Sequence, residues 1–394
     1  MDNKAVPSLL PVYKRYDLAF ERGEGAWLHT TDGRRMLDFA SGIAVTGLGH
    51  AHPHLVKTVA EQAGRLWHVS NLFRIPELER LADRLVARSF ADTVFVCNSG
   101  AEAMEACIKL ARRYHWARGE PERQRIVTFE GAFHGRTMAT VSAAGGKKLV
   151  EGFDPLLPGF DVVPFGDHEA LRAAVGEHTA AIMVEPIQGE GGIRPVPPQC
   201  LQGLRELCDE RGLLLVFDEI QTGMGRTGTL FAHEQAGIAP DVMGIAKGLG
   251  GGFPIGACLA TARAASGMAP GTHGSTFGGN PLACAVAGAV LDILLADGFL
   301  DQVAARGHQL RERLEAIRAE HPGVLAEVRG RGLLVGVRVH GDAGGFIGRL
   351  QAHGLVTAPA ADNVVRLLPP LTITADEVEQ GCAMVEAACR ERPG

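Results

Sequence analysis

Leu213-Leu214-Leu215-Val216-Phe217-Asp218-Glu219 is an unbroken apolar run closed by two acids. A run this short and this uniformly apolar has no outward polar face, so it reads as a strand buried on both sides, as in parallel sheets. Similar runs lie on either side of it: Val94 to Cys97, Ile126 to Phe129, Ala181 to Val184 and Val242 to Ala246. Helical stretches separate them. The middle of the chain is therefore expected to be α/β, a mostly parallel sheet wrapped by helices. Much of the glycine, 51 residues in all, falls just after these strands, at the carboxyl ends where open α/β sheets bring backbone close to a ligand.

From Pro281 onward the pattern changes. An apolar helix begins there, followed by a long amphipathic helix near Asp301 to Glu320, strands at Val324 to Val328 and Leu333 to Val339, and a closing helix near Ala375 to Arg390. This reads as a smaller α+β lobe, completed by Trp27 to His29 and Met36 to Phe39, which flank the turn Asp32-Gly33. The 394 residues exceed one ordinary core of about 150. The expected division is an N-terminal segment, 1–45, joining the small domain, a large domain, 46–284, and a C-terminal small domain, 285–394.

Composition removes several classes. With 46% hydrophobic and 21% charged residues the chain is globular rather than disordered. Its net charge of −6 and lack of a basic block give no footprint for nucleic acid. The apolar run Pro281 to Leu291 stops at Asp292, short of the roughly 20 residues that span a bilayer. Pro7 and Pro11 interrupt the N-terminus where an export signal needs an apolar stretch. The 8 cysteines are scattered without a Cys-x-x-Cys pair. No zinc ribbon or disulfide scaffold is expected, and the compartment reads as reducing cytoplasm.

Three strand ends carry candidate chemistry. Phe95-Val96-Cys97-Asn98-Ser99-Gly100-Ala101-Glu102 runs from a strand through a Ser/Gly turn into a helix, whose free N–H groups and dipole suit a phosphate. Taken alone, a plain N-cap by Asn98 or Ser99 is the favoured reading. Asp218-Glu219 resembles the magnesium-holding segment of a nucleotidase, but the phosphate-loop motif is missing: Gly146-Lys147 has Val141 at the first glycine position and Lys148 after it. Gly223-Met224-Gly225-Arg226-Thr227-Gly228 matches the dinucleotide fingerprint literally. Five residues separate it from the strand, however, and Gly237 and Pro240 occupy the place of the expected helix.

In Ile245-Ala246-Lys247-Gly248-Leu249-Gly250 a lysine closes an apolar strand before a glycine-rich turn. Burial lowers an amine's pKa and favours a Schiff-base nucleophile; the alternative is a surface lysine. A lysine anchor, a phosphate cradle and a buried-strand aspartate together meet the needs of pyridoxal phosphate. Gly131-Ala132-Phe133-His134-Gly135-Arg136 adds an aromatic plane for a ring and a guanidinium for a carboxylate, with core packing and a structural ion pair as the alternatives. His50-Ala51-His52-Pro53-His54 reads as a turn and not as a metal site, because Pro53 breaks a regular strand and no further ligands accompany it. No metal is expected.

Asn98-Ser99-Gly100-Ala101-Glu102, Phe133-His134-Gly135-Arg136, Val184-Glu185-Pro186-Ile187-Gln188-Gly189-Glu190, Asp218-Glu219-Ile220-Gln221-Thr222-Gly223, Ala246-Lys247-Gly248 and Ser275-Thr276-Phe277-Gly278-Gly279-Asn280-Pro281 occur in order. Together they resemble the class III pyridoxal-phosphate aminotransferases, and within that family the acetylornithine branch, over nearly the whole chain. The resemblance implies the fold type I architecture and a homodimer with active sites at the subunit interface. Lys247 would be the Schiff-base lysine and proton carrier, Asp218 the partner of the pyridine nitrogen, and Gln221 a contact of the ring hydroxyl. Phe133 and Ile220 would sandwich the ring. Ser99, Gly100 and Ala101, with Thr276 of the partner subunit, would hold the phosphate. Arg136 and Arg366 would bind carboxylates, with Glu190 able to occupy Arg366, and Ser275 and Ile43 would border the substrate.

The implied reaction moves the terminal amino group of N2-acetyl-L-ornithine to 2-oxoglutarate, giving N-acetyl-L-glutamate 5-semialdehyde and L-glutamate, in arginine biosynthesis. Succinylornithine, N-succinyl-diaminopimelate, carrier-linked lysine and ornithine are the alternative donors. Ile43 stands where ornithine-specific relatives carry Tyr, which favours an acylated donor. Met104 and Arg74 depart from the family's frequent Asn and Tyr; neither touches the implied chemistry directly, but Arg74 would alter the substrate mouth. A dehydrogenase using Gly223 to Gly228 and a silent cofactor-binding regulator are the competing classes.

Overall fold

The computed structural model describes residues 8–391; Pro7 lies outside them. Seven strands form the large sheet, ordered Thr93–Cys97, Gly256–Ala260, Val242–Ile245, Leu214–Asp218, Thr179–Val184, Arg125–Phe129 and Phe160–Val163. Gly256–Ala260 is antiparallel to both its neighbours, and the other six strands run the same way. Every residue of Leu214–Asp218, Thr179–Val184 and Gly256–Ala260 is buried, as two-sided coverage by helices requires.

The five strands expected from apolar runs are present, and two more join them. Gly256-Ala257-Cys258-Leu259-Ala260 lacks the β-branched residues that mark a strand. Its small side chains have a packing reason, since a Cβ on Gly256 would sit 2.4 Å from the Ser99 carbonyl oxygen. Phe160–Val163 is an edge strand with an acid in its middle.

The helix Pro281–Leu294 starts where Asn280 accepts the Ala283 N–H at 2.8 Å and Pro281 takes the first turn. It runs through the expected division at 284/285 and packs on the helices Pro53–Ala63 and Pro76–Ala87. Among the described residues no single helix is long and apolar enough to cross a membrane.

Beyond it, Phe299–Glu320 packs on Ala375–Arg390, which opens with the reciprocal Thr374/Glu377 capping box. Phe299–Glu320 also packs on an antiparallel sheet ordered Leu325–Arg331, Leu334–Val339, Val364–Leu367 and Ala358–Ala360. The N-terminal strands Phe20–Glu24, Trp27–Thr30 and Arg35–Asp38 form a meander whose last strand pairs in parallel with Leu355–Val356. Distant ends of the chain are thereby tied together.

Candidate active site

The carboxyl ends of the parallel strands converge on a cavity of about 400 Å³, as expected for an open α/β sheet. Thr93–Cys97 delivers Asn98, Ser99, Gly100 and Ala101 to its wall. Ser99 is the N-cap of the helix Gly100–Ala117, its Oγ accepting the Glu102 N–H at 3.2 Å. Glu102 reaches back to the Asn98 N–H (2.9 Å) and Nδ2 (2.8 Å). The turn is thus locked, with the helix's first N–H groups beside the cavity.

Lys247 follows Val242–Ile245 and lines the same cavity. Its φ of +44° lies in the left-handed region, a strained backbone for a non-glycine residue that tends to occur at functional positions. Burial lowers its amine pKa to about 8, the Arg366 charge also lowering it while Glu190, Asp218 and Glu185 oppose the shift.

Asp218, buried at the end of Leu214–Asp218, accepts the Ile220 N–H on Oδ1 (3.0 Å) and faces His134 Nδ1 with Oδ2 (2.8 Å). Because a carboxylate only accepts, Nδ1 is the protonated nitrogen. Burial pushes the His134 pKa down, but the hydrogen bond and charge of Asp218, with the charge of Glu185, more than offset it and leave it raised.

Glu185, one residue past the strand Thr179–Val184, is a second buried carboxyl on the cavity wall. Burial and the nearby Asp218 charge raise its pKa to about 7 against the opposing effects of His134 and two backbone N–H groups.

At the mouth, the Arg136 guanidinium lies 5.4 Å from the centre of the Phe133 ring, and both residues line the cavity with Ile220, Gln221 and Glu190. Arg366, on the small-lobe strand Val364–Leu367, is almost wholly buried and forms a two-pronged pair with Glu190 at 2.5 and 3.0 Å. It also donates to Gln221 Oε1 (3.2 Å) and to the Pro359 carbonyl from Nε (3.1 Å) and Nη2 (2.7 Å). The small lobe thus presents its guanidinium to the large lobe's site with a carboxylate already on it.

Four expected site residues are not among those lining this cavity: Arg366, which reaches it only through its pairs with Glu190 and Gln221, and Thr276, Ser275 and Ile43. Thr276 is exposed. Ser275 touches the site indirectly, its Oγ accepting from Asn98 Nδ2 at 3.2 Å. Ile43 is partly exposed at φ +64°, two residues before the cavity-lining Val45. Met104 is buried against Gly244, whose Cβ would lie 2.5 Å from its sulfur. Arg74 is exposed and paired with Glu79 at 2.7 Å.

Pro53 opens a helix instead of only breaking a strand. His50 faces Asp38 (2.8 Å), His52 caps the helix and His54 faces Asp292 (3.0 Å). In Gly223–Gly228 there is no helix, and Arg226 is buried there against the carbonyls of Leu333 and Pro369.

His134 and Glu185 lie inside the Phe133–Arg136 and Val184–Glu190 motifs without a role that those motifs give them. The available signal for Glu185 was the one used for Asp218, an acid directly after a wholly apolar strand.

The class-III aminotransferase profile matches residues 11–389. The chain is 59% identical over 389 residues to acetylornithine aminotransferase 1 of Bradyrhizobium diazoefficiens, covering 99% of this chain and 96% of that one. Among solved structures, N-acetylornithine aminotransferase from Stenotrophomonas maltophilia is 43% identical with a TM-score of 0.84, over 95% of this chain and 96% of that chain. The ornithine aminotransferase of Toxoplasma gondii, with pyridoxal phosphate partially occupying its active site, is 33% identical with a TM-score of 0.92, over 96% and 92% of the two chains. The architecture is that of fold type I transferases. With a cavity-lining lysine and a buried aspartate at adjacent strand ends and a profile match over nearly its whole length, the chain belongs to the class-III aminotransferases.

Proposed function

We propose that this enzyme transfers the terminal amino group of N2-acetyl-L-ornithine to 2-oxoglutarate, using pyridoxal 5'-phosphate, as a step of arginine biosynthesis in the cytoplasm. The observation that carries the two-substrate reading is the buried Arg366 already paired with Glu190. Free cysteines at all eight positions support a reducing compartment. The cavity fits the cofactor. It holds an amine whose pKa burial has lowered, a buried carboxylate, and a helix N-terminus where Gly100 has no Cβ to crowd Ile220, which would lie 2.8 Å away.

When bound, pyridoxal phosphate supplies an aldehyde to receive the amino group and a ring to spread the electron pair left on a deprotonated carbon. Lys247 Nζ, neutral above about pH 8, would be the covalent anchor and would carry the proton to and from that carbon. Asp218, oriented by His134 and Ile220 through its two oxygens, would hold a proton at the ring nitrogen. Ser99, Gly100 and Ala101 would cradle the phosphate, Phe133 and Ile220 would enclose the ring, and Gln221 would meet the ring hydroxyl.

Arg136 receives the α-carboxylate of acetylornithine or the side-chain carboxylate of glutamate. Arg366 is needed only for the α-carboxylate of glutamate, and Glu190 covers it otherwise. Ile43 and Ser275 border the donor, with an apolar side chain in place of a partner for a free α-amino group.

A homodimer completes the site with Thr276 of the partner subunit. Its support is an apolar surface containing Leu66, Trp67, Leu72, Phe73 and Phe277, with Leu72 88% and Phe277 61% exposed. Asn71 Nδ2 joins its two segments by donating to the carbonyls of Ser275 (3.1 Å) and Gly278 (2.9 Å). Patches of this kind mark subunit contacts.

The test is one spectrum of the purified enzyme followed in turn by glutamate, 2-oxoglutarate and N-acetylornithine. Each amino donor is expected to bleach the cofactor band and 2-oxoglutarate to restore it, with N-acetylornithine acting faster than ornithine. A protein that shows no such band and responds to nicotinamide nucleotides would be a dehydrogenase instead.

A further inference from the structure

Glu185 does something that packing alone does not require. Its carboxyl is buried beside Asp218, in a region that also holds His134, Lys247 and Arg194, and placing a second carboxyl there is costly. Among the described residues its hydrogen bonds go only to backbone. Oε1 accepts the Phe133 N–H at 2.9 Å and Oε2 accepts the Gly189 N–H at 3.2 Å. The first belongs to the loop that presents Phe133 to the cavity, the second to the residue before Glu190.

Gly189 backs directly on Gln221, where a Cβ would fall 2.3 Å from Oε1, and that same Oε1 accepts from Arg366. The outer ends of the two segments are joined separately, by Gln188 Nε2 (3.1 Å) and Arg194 Nη2 (2.8 Å) on the Glu130 carbonyl. Glu185 supplies the inner tie, where the chemistry takes place. Two buried N–H donors approaching one side chain need two acceptor atoms. A carboxylate has them, whereas an amide offers one oxygen and turns an NH2 toward the other donor. That requirement accounts for a costly carboxylate where a glutamine of equal size would pack as well.

We propose that Glu185 is a positioning residue that couples the Phe133 loop to the Glu190–Arg366 gate, holding both segments in one register through its two oxygens. This rests on the roles proposed above for Phe133, Glu190 and Arg366. Weakening the tie changes how readily Glu190 leaves Arg366, and so alters the preference between the two amino donors although every group that contacts them is chemically unchanged.

The experiment compares wild type, Glu185→Gln, Glu190→Ala and Gln188→Ala holoenzymes. Single-turnover rates are measured with glutamate and with N-acetylornithine, and visible circular dichroism reports the environment of the bound cofactor. Glu185→Gln is expected to change the ratio of the two rates by about fivefold, equivalent to ~1 kcal/mol, and to alter the dichroism. Gln188→Ala, which loosens only the outer tie, is expected to leave both near wild type. If Glu185→Gln leaves the ratio and the dichroism unchanged, the inference is overturned. An unchanged ratio in Glu190→Ala refutes the gate itself, independently of the Glu185 result. Should Glu185→Gln not fold, Glu185→Asp, with both oxygens drawn back by one methylene, is read by the same criteria.

Discussion

Removing the Glu190 carboxylate should separate the two halves of the reaction. In the resting site Arg366 is 2% exposed and Glu190 32% exposed, joined by two hydrogen bonds of 2.5 and 3.0 Å. Breaking a buried pair from one side costs roughly 3–5 kcal/mol. Here Arg366 keeps Gln221 and the Pro359 carbonyl as acceptors, and water can approach through the exposed third of Glu190. The loss is therefore set lower, at about 2 kcal/mol, or ~30-fold in rate.

That loss falls on the acetylornithine half-reaction of Glu190→Ala, in which nothing replaces the missing carboxylate. With glutamate the substrate's own α-carboxylate pairs with Arg366, so the rate should stay near wild type or rise. Arg366→Ala should do the reverse, slowing glutamate and sparing acetylornithine. Stopped-flow absorbance of the bound cofactor with each donor in turn measures all four rates. Equal losses for both donors in both variants would refute the gate.

Other expectations follow from the buried charges. Because burial lowers the Lys247 pKa to about 8, the amine gains nucleophilicity as pH rises. Cofactor uptake by the apoenzyme should climb tenfold per pH unit below that value and level off above it; a flat profile from pH 6 to 9 would place the amine elsewhere. Asp218→Asn should lower kcat by at least about 100-fold, with much less effect on cofactor affinity. His134→Asn retains a donor near the position of Nδ1 and should remain within about tenfold of wild type. His134→Leu, by leaving Asp218 Oδ2 without that donor, should cost about 1–3 kcal/mol in kcat. Near-normal kcat in His134→Leu would show that His134 does not orient Asp218.

The central sheet was readable along the chain because a strand buried on both faces must be apolar at every position, as Leu214–Asp218 and Thr179–Val184 are. Gly256–Ala260 escaped notice because its smallness answers to the Ser99 turn pressed against it, a contact made by residues more than 150 positions away. Lys247, Asp218 and the Ser99–Ala101 turn announced themselves as polar residues at the ends of apolar runs. The family pattern added Glu190 and Arg366.

Local order along the chain thus determined the α/β class, the strand ends that carry chemistry and the kind of cofactor they suit, because burial on both faces and turn chemistry are properties of neighbouring residues. The tertiary structure decided which of those residues meet. Only there does His134 face Asp218 across 84 positions, Glu190 pair with Arg366 across 176, and one Glu185 carboxylate take an N–H from each of two loops. Hydrogen bonds and ion pairs act over about 3 Å, and only the folded chain brings atoms so remote in sequence to that distance.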